Sequence, residues 1–236
     1  MKKILFYLLI AATAYVLSYS AAVIIAARSA TPKLVKGILE SATITYKDLS
    51  KWQLDALLAV EDPKFFEHNG VDLKTPGAGI TTITQGLAKR LYFKKGFRPG
   101  IAKYKLMVVS VFALDRMVSK NDQLTLLLNN AHLGNVGAAQ VIGFDKASEV
   151  YFKKKYKDIS RRQYLQLVAM LIAPNAFNVI NQPDANRERV ARIEKVISGE
   201  YKPKSLMDLY YGELPKETAK SGLAPASYFP EMYKKK

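Results

Sequence analysis

The sequence predicts a mainly α-helical domain behind one N-terminal transmembrane helix. Residues 4–27 are uncharged, and apolar residues in most of the remaining segments recur at the three- and four-residue spacing of an amphipathic helix. Few segments alternate between apolar and polar residues with the period of two that marks a half-buried strand. The roughly 200 residues after the apolar segment suffice for one domain with its own core.

The uncharged segment comes first in the chain and contains 24 residues, which is enough to cross a bilayer as a helix. A cleaved signal peptide is the alternative, but its apolar core usually has only about 7–15 residues. Lys2 and Lys3 precede the segment and Arg28 follows it, so loop charge leaves the orientation open. We expect a short N-terminus at 1–3, an anchor at 4–27, a linker at 28–44 that leaves the membrane at Thr31-Pro32, a domain at 45–202 and a C-terminal extension at 203–236.

Capping residues, prolines and glycines mark where the predicted helices of the domain begin and end. Ser50 is a candidate N-cap for a helix that runs into Glu61-Asp62, where Pro63 is a stop signal. A turn ending at Gly79 precedes a second helix that runs through Leu91, and a basic loop spans 94–100. Further helices are predicted over 101–117, 122–133, 138–151, 161–173 and 187–197.

The chain carries a net charge of +16 and no cysteine. No zinc-finger or other nucleic-acid signature accompanies the charge, and a membrane span argues against a nucleic-acid partner. Beside anionic lipid headgroups, each well-placed Lys or Arg contributes about 1 kcal/mol of binding free energy, and an anionic substrate would gain similarly. The absence of cysteine excludes disulfides and is compatible with an oxidising compartment.

Two short motifs contain most of the candidate functional residues. Residues 61–70 read E-D-P-K-F-F-E-H-N-G, and residues 79–86 read G-I-T-T-I-T-Q-G. They resemble the first two motifs of the family 51 glycosyltransferases, E-D-x-x-F-x-x-H-x-G and G-x-S-T-I-T-Q-Q, with Thr81 for the serine and Gly86 for the second glutamine. Similarity continues through 119–129, 134–152 and 167–174. The resemblance implies a lysozyme-like α-helical fold with a small membrane-facing lobe.

The resemblance also implies an activity, namely polymerisation of lipid II into glycan strands with release of undecaprenyl diphosphate. We expect a monofunctional peptidoglycan glycosyltransferase in the bacterial cytoplasmic membrane, with its domain on the outer side and residues 1–3 in the cytoplasm. Its partners would be lipid II, the growing strand, membrane lipids and other cell-wall synthesis proteins. A divalent cation, Mg²⁺ or Mn²⁺, could accompany the substrate diphosphate.

Glu61 is the natural general base, because glycosyl transfer needs a group that takes the proton of the attacking hydroxyl. Asp62 and His68 would support it. Hydroxyl, amide and cationic groups suit the sugars and the leaving diphosphate. The expected substrate-binding residues are Thr81, Thr82, Thr84, Gln85, Lys89 and Arg98.

The family pattern breaks at several positions. Met107 stands where the third motif, R-K-x-x-E, has its glutamate, and Thr125 and Leu127 replace the glutamate and tyrosine of the fourth. Losing a transition-state group typically costs on the order of 10²–10³ in rate. Asp72 or Asp115 could take over the acid's role. Two other functions therefore stay open, a catalytically impaired protein that binds lipid II or glycan, and a lysozyme-like enzyme that cleaves glycan.

Overall fold

The computed structural model describes residues 1–93, 97 and 100–213, and the described chain is mainly helical, as the sequence predicts. Ser110–Leu114 forms a π-helical turn between α4 and α5, and short 3₁₀ turns lie at Tyr46–Asp48 and Tyr156–Asp158. The labelled elements are α1 Lys2–Glu40, α2 Lys51–Glu61, α3 Ile83–Tyr92, α4 Ile101–Val109, α5 Asp115–Met117, α6 Lys120–Asn130, β1 His132–Val136, β2 Ala139–Ile142, α7 Phe144–Phe152, α8 Arg161–Met170 and α9 Pro183–Ile197.

Capping side chains set where the helices begin. The Ser50 hydroxyl accepts from Gln53 N while the Gln53 side chain accepts from Ser50 N, which confirms the predicted start of α2. Thr82 begins α3 in the same way, and Ser160 begins α8. Each reciprocal pair satisfies two backbone donors that a helix start would otherwise leave open.

The region predicted as one helix over 138–151 is different in the structure. A two-stranded antiparallel sheet, β1–β2, occupies 132–142, and the helix α7 begins only at Phe144. Gly143, inside the predicted range, has a positive φ angle of 83°, which an uninterrupted helix does not allow. The apolar residues of this short hairpin were too few to reveal a period of two.

Most of the predicted linker 28–44 is helical, because α1 continues through Pro32 to Glu40. Thr31 is 1 % exposed, and its hydroxyl hydrogen-bonds the Tyr92 hydroxyl at 2.6 Å. The Arg28 Nε donates to the carbonyl of Phe112 at 2.7 Å. These tertiary contacts keep the helix folded past a proline that, in isolation, favours a break.

The core that positions the site is formed by α2, α8 and α9, which pack against one another, while α3 packs on α6. Leu57 of α2, Tyr164 of α8 and Ile193 of α9 are fully buried within it. The Tyr164 hydroxyl donates to the carbonyl of Gln53 at 2.9 Å, which fixes α8 against α2. The C-terminal end of α2 is therefore held from several sides.

Candidate functional site

Glu61 is the last residue of α2, and its side chain is half-buried. Burial raises the pKa of this carboxyl from 4.5 to about 7, since desolvation disfavours the charged form. The positive charge of Arg189 opposes that rise, and the charge of Asp62 adds to it. A carboxyl with a pKa near neutrality is well suited to accept a proton from a substrate.

Arg189 of α9 is the cation that faces Glu61 across a cavity, and sequence reasoning missed it. Its side chain is 2 % exposed, and its Nε and Nη1 find no hydrogen-bond acceptor among the described residues. The guanidinium lies between aromatic rings, 4.8 Å from the centroid of Tyr211, 5.6 Å from Tyr210 and 5.7 Å from Phe177. These rings hold a charged group in a position from which its field acts on the site.

Asp62 and His68 form a latch between the end of α2 and the start of α3. His68 Nε2 lies 2.9 and 3.0 Å from the two carboxylate oxygens of Asp62, and its Nδ1 accepts from Gly70 N at 3.0 Å. The second Asp62 oxygen accepts from Ile83 N at 3.0 Å. Because Nδ1 accepts, Nε2 carries the proton that is donated to Asp62. The latch fixes the geometry around Glu61.

The threonines of the second motif differ in exposure. Thr81 is exposed, whereas Thr82, Thr84 and Gln85 are buried. Thr82 Oγ1 donates to Gly70 O at 2.7 Å, and Thr84 Oγ1 donates to Gln123 at 2.7 Å. Gln85 Oε1 accepts from Thr82 N at 3.1 Å, so Thr84 and Gln85 both form hydrogen bonds within the protein. Their predicted contact with substrate stays a prediction.

Two cavities meet at Glu61. The first has a volume of about 340 Å³ and extends along α3 to α6 and the start of β1. The second has a volume of about 310 Å³ and extends to α9 and the C-terminal segment. Both are lined by Glu61, Thr81 and Ile172. A group bound in either cavity would therefore reach the carboxyl of Glu61.

The first cavity is basic. Lys89, Arg90 and His132 line it, of which only Lys89 was expected from the sequence. Lys89 Nζ lies 4.9 Å from the centroid of the Phe97 ring. Burial, with a contribution from Arg90, lowers the pKa of His132 and favours its neutral form. Arg98 and most of the predicted basic loop 94–100 lie outside the described residues.

The second cavity has a wall that the sequence did not indicate. Met207 and Leu209, from a stretch of the predicted C-terminal extension, line it together with Arg189. Backbone hydrogen bonds of 2.9 Å from Gly77 N to Ser205 O and from Gly79 N to Leu206 O attach this stretch to the turn before α3. We refer to residues 203–212 as the C-terminal wall.

The glycines of that turn permit the close approach. Gly79 has a φ of +69°, and a Cβ there would lie 2.7 Å from Leu209 Cδ2. Gly77 has a φ of +79° and a similarly close contact with Pro203. The Tyr211 hydroxyl in turn donates to the carbonyl of Val60 at 3.2 Å, next to Glu61. Glycine is therefore needed where the wall meets the turn.

The positions that depart from the family pattern lie in different environments. Met107 is 44 % exposed on α4 and lines neither Glu61 cavity. Thr125 is buried, and its hydroxyl accepts from Tyr46 N at 3.1 Å. Leu127 lines the first cavity. The pattern change at Thr125 thus serves the fold, whereas the change at Leu127 alters the cavity surface.

Neither substitute acid lies in the cavities. Asp115 Oδ1 binds Lys120 Nζ at 2.7 Å and Gln123 Nε2 at 3.3 Å, and Asp72 accepts from Lys74 N at 2.8 Å in a turn. Glu61 is the single acidic residue among those that line the two cavities. Glu61 therefore provides the one carboxyl that lines these cavities among the described residues.

Comparison with known proteins assigns the family. The family described as Transglycosylase matches residues 33–197. The chain belongs to this family, the family 51 glycosyltransferases. Membership confirms the predicted lysozyme-like fold class, and the long apolar α1 fits a single-pass membrane protein. The C-terminal wall lies beyond the matched residues.

Named relatives agree with the assignment. Penicillin-binding protein 1F of Bacillus subtilis (strain 168) is 31% identical over 159 residues, which are 62% of this chain and 21% of that protein. Penicillin-binding protein 1B of Haemophilus influenzae is 30% identical over 176 residues, 67% of this chain and 22% of that protein. The chain thus spans about a fifth of the length of the curated relatives that it matches.

Proposed function

We propose that this transglycosylase-family protein polymerises lipid II on the outer side of the bacterial cytoplasmic membrane and releases undecaprenyl diphosphate. The observation that carries the proposal is the position of Glu61. Its carboxyl, with a pKa near 7, stands where a basic cavity and a second cavity meet. Two sugar substrates must meet at one base, and this arrangement suits that requirement.

The proposed reaction follows from the position of Glu61 between the two cavities. Glu61 takes the proton of the acceptor's 4-hydroxyl while that oxygen attacks the anomeric carbon of the donor. The bond from that carbon to the diphosphate oxygen breaks, and the diphosphate leaves with the electron pair. Lys89 in the first cavity would stabilise the growing negative charge, as would Arg98. The acceptor would then occupy the second cavity, between Arg189 and the C-terminal wall.

The Asp62–His68 latch and the buried Thr82 act indirectly in this scheme. Asp62 and His68 hold α2 and α3 at a fixed distance, and Thr82 holds the start of α3, so these residues position the base rather than react. Mg²⁺ commonly binds through one or two carboxylates plus substrate phosphates. With Glu61 as the single acidic residue lining the cavities, Mg²⁺ or Mn²⁺ would be held chiefly by the diphosphate itself.

The test is a lipid II polymerisation assay on the purified full-length protein in detergent. Glu61→Gln should abolish chain formation, because glutamine cannot accept the proton. Glu67→Gln is the matched control, since Glu67 is an exposed glutamate in the same motif that pairs only with Lys64 at 3.2 Å among the described residues. It should retain full activity.

The other outcomes decide between the alternatives. Lipid II binding without chain formation by the unaltered protein would favour a non-catalytic binding protein, in which the change at Met107 is decisive. Release of fragments from finished peptidoglycan, with no activity on lipid II, would favour a glycan-cleaving enzyme. Either result would refute the proposed polymerisation.

A further inference from the structure

A cavity of about 930 Å³ lies next to the C-terminal end of α1, between α6 and α7. Neither Glu61 nor Lys89 lines it, and the proposed glycosyl transfer uses none of its groups. Its lining combines hydroxyl and amide groups, apolar side chains and six charged residues. The charged residues are Asp145, Lys146, Glu149, Lys153, Lys154 and Lys155.

Hydrogen bonds and a close backbone contact fix the walls of this cavity. The Asn129 side chain of α6 accepts from Thr43 N at 3.0 Å and donates to Ile44 O at 2.6 Å, which attaches the segment after α1 to α6. Gly143, the residue before α7, has a φ of +83°, and a Cβ there would lie 3.0 Å from Asn129 O. The three elements around the cavity are therefore held together, and the cavity is built into the fold.

The charges in the lining are mixed rather than uniformly positive. Lys146 pairs with Glu149 at 2.7 Å. Lys153, Lys155 and Asp145 form no ion pair with the residues that the structure describes. The two carboxylates of the lining would repel a uniform polyanion such as a phosphodiester polymer. A ligand that has both carboxylate and ammonium groups could pair with both signs, and a short peptide has this composition.

Lys153 occupies a backbone position that favours glycine. It is the C-cap of α7, with φ 56° and ψ 34° in the left-handed region, and Lys154 N donates to Ser148 O at 3.4 Å. Glycine adopts this conformation without the strain that a Cβ causes, and it is the usual residue at such a helix end. A lysine here has a conformational cost that the fold does not require. Since its side chain lines the cavity, binding of a ligand would account for it.

Asn130 connects this cavity to the site. It is the last residue of α6, and it lines both this cavity and the basic cavity in which Lys89 lies. Along α1, Thr31 meets Tyr92 of α3, whereas Ile38 lines the cavity, about 10 Å further from the apolar part of the helix. A group attached to a donor at Lys89 could therefore extend past Asn130, away from the membrane. A peptide of about five residues spans about 17 Å when extended.

Resting on the proposed function, we propose that this cavity binds the short peptide attached to the sugar of the lipid-diphosphate donor. Lys153 and Lys155 pair with the carboxylates of the peptide, and Asp145 pairs with its ammonium group. The apolar side chains of the lining contact its alanine methyl groups. The protein then recognises a part of the substrate that takes no part in glycosyl transfer, so the cavity helps to select which donor is extended.

The experiment measures binding of a soluble N-acetylmuramoyl peptide, with two free carboxylates and one lysine side chain, to the full-length protein in detergent. Ligand-observed NMR gives the Kd. Lys153→Gly removes the ammonium and relieves the backbone strain, so it should weaken binding about two- to five-fold, the range of an exposed ion pair, without lowering thermal stability. Combined with Lys155→Gln, the loss should reach about ten-fold, because the two charges are lost together.

Lys157→Gln is the matched control. Lys157 is an exposed lysine in the same basic segment and does not line the cavity, so its loss removes the same charge from the surface and should leave the Kd unchanged. Polymerisation is measured on the same samples, with lipid II and with the same lipid lacking its peptide. Lys153→Gly should raise KM for lipid II and leave kcat unchanged, and the difference in KM should vanish on the peptide-free lipid. A merely structural role would change both substrates alike.

Three binding results would overturn the proposal. They are full affinity of the combined variant for the muramoyl peptide, an equal loss in Lys157→Gln, and equally tight binding of hexaglutamate, which would indicate a site for acidic polypeptides in general. The expected binding pattern without any polymer would refute the proposed function and leave the peptide site standing. Polymer formation with an unchanged KM in Lys153→Gly would refute only the peptide site.

Discussion

Replacing Glu61 by glutamine should stabilise the fold in neutral and alkaline solution while it removes activity. The structure raises the pKa of this carboxyl from 4.5 to about 7, chiefly by burial. The folded state therefore binds the proton more tightly than the unfolded state does. Glutamine has the same shape and no charge, so the variant avoids the cost of burying the anion.

The sign and size of the effect follow from this difference in pKa. Below pH 4.5 the carboxyl of Glu61 is protonated in both states, and the glutamine variant gains nothing from this source. As the pH rises from 4.5 to 7, the unfolded state loses its proton first, so the stability of the unaltered protein falls. Above pH 7 the loss is complete. At about 1.4 kcal/mol for each pKa unit, the full shift amounts to about 3.5 kcal/mol, and solvent screening of this half-buried carboxyl reduces it to roughly 2–3 kcal/mol.

The assay is urea unfolding in detergent, followed by far-ultraviolet circular dichroism at pH 4.5, 6 and 8. The free energy of unfolding of Glu61→Gln, relative to the unaltered protein, should increase by roughly 2–3 kcal/mol across this range. Glu67→Gln, in the exposed part of the same motif, should show no such trend. A difference between Glu61→Gln and the unaltered protein that stays constant with pH would refute the reasoning.

Three further perturbations test the neighbouring groups. Arg189→Met removes the charge that opposes the effect of burial, so the acid limb of the kcat/KM profile set by Glu61 should move up by about one pH unit. Asp62→Ala leaves two buried donors without their acceptor and should cost roughly 3 kcal/mol in urea unfolding. Gly79→Ala should detach the C-terminal wall, seen as faster amide exchange at 203–212 and a loss of roughly 1–2 kcal/mol.

Matched substitutions separate these effects from general damage. Arg187→Met removes an exposed charge from the same helix as Arg189 and should leave the acid limb in place. Asp55→Ala on α2 breaks only an exposed ion pair with Lys51 and should cost less than about 1 kcal/mol. Gly137→Ala has a positive φ but open space around its Cβ, so amide exchange of the wall should not change. An equal effect in a control and its partner variant would contradict the corresponding prediction.

The helices were predictable because their signals are local. Ser50 and Pro63 bracket α2 through a cap and a stop, and these act within one turn of the chain. The end of α1 could not be predicted, for the opposite reason. The contacts of Thr31 and Arg28 that carry the helix past Pro32 come from residues more than 60 positions away. No local pattern contains them.

The candidate site likewise contains residues that the sequence could reveal and one that it could not. Glu61, Asp62 and His68 lie in one short motif, so a sequence pattern can reveal them together. Arg189 could not be found by such means, since in the sequence it is one of several arginines on an amphipathic helix. Only its burial among the ring of Phe177 and the two tyrosine rings of the C-terminal wall distinguishes it. That environment exists only when distant segments have folded together.

The base and its surroundings therefore impose opposite requirements on the fold. Burial makes Glu61 a proton acceptor near neutral pH, but the same burial destabilises the ionised protein. Arg189 limits that cost through its charge, yet a buried guanidinium is itself expensive unless aromatic rings and nearby anions compensate it. Tyr211 of the C-terminal wall contributes to both, because its ring contacts Arg189 and its hydroxyl binds the chain beside Glu61. A segment outside the family match is thus expected to help set the reactivity of the family's own glutamate.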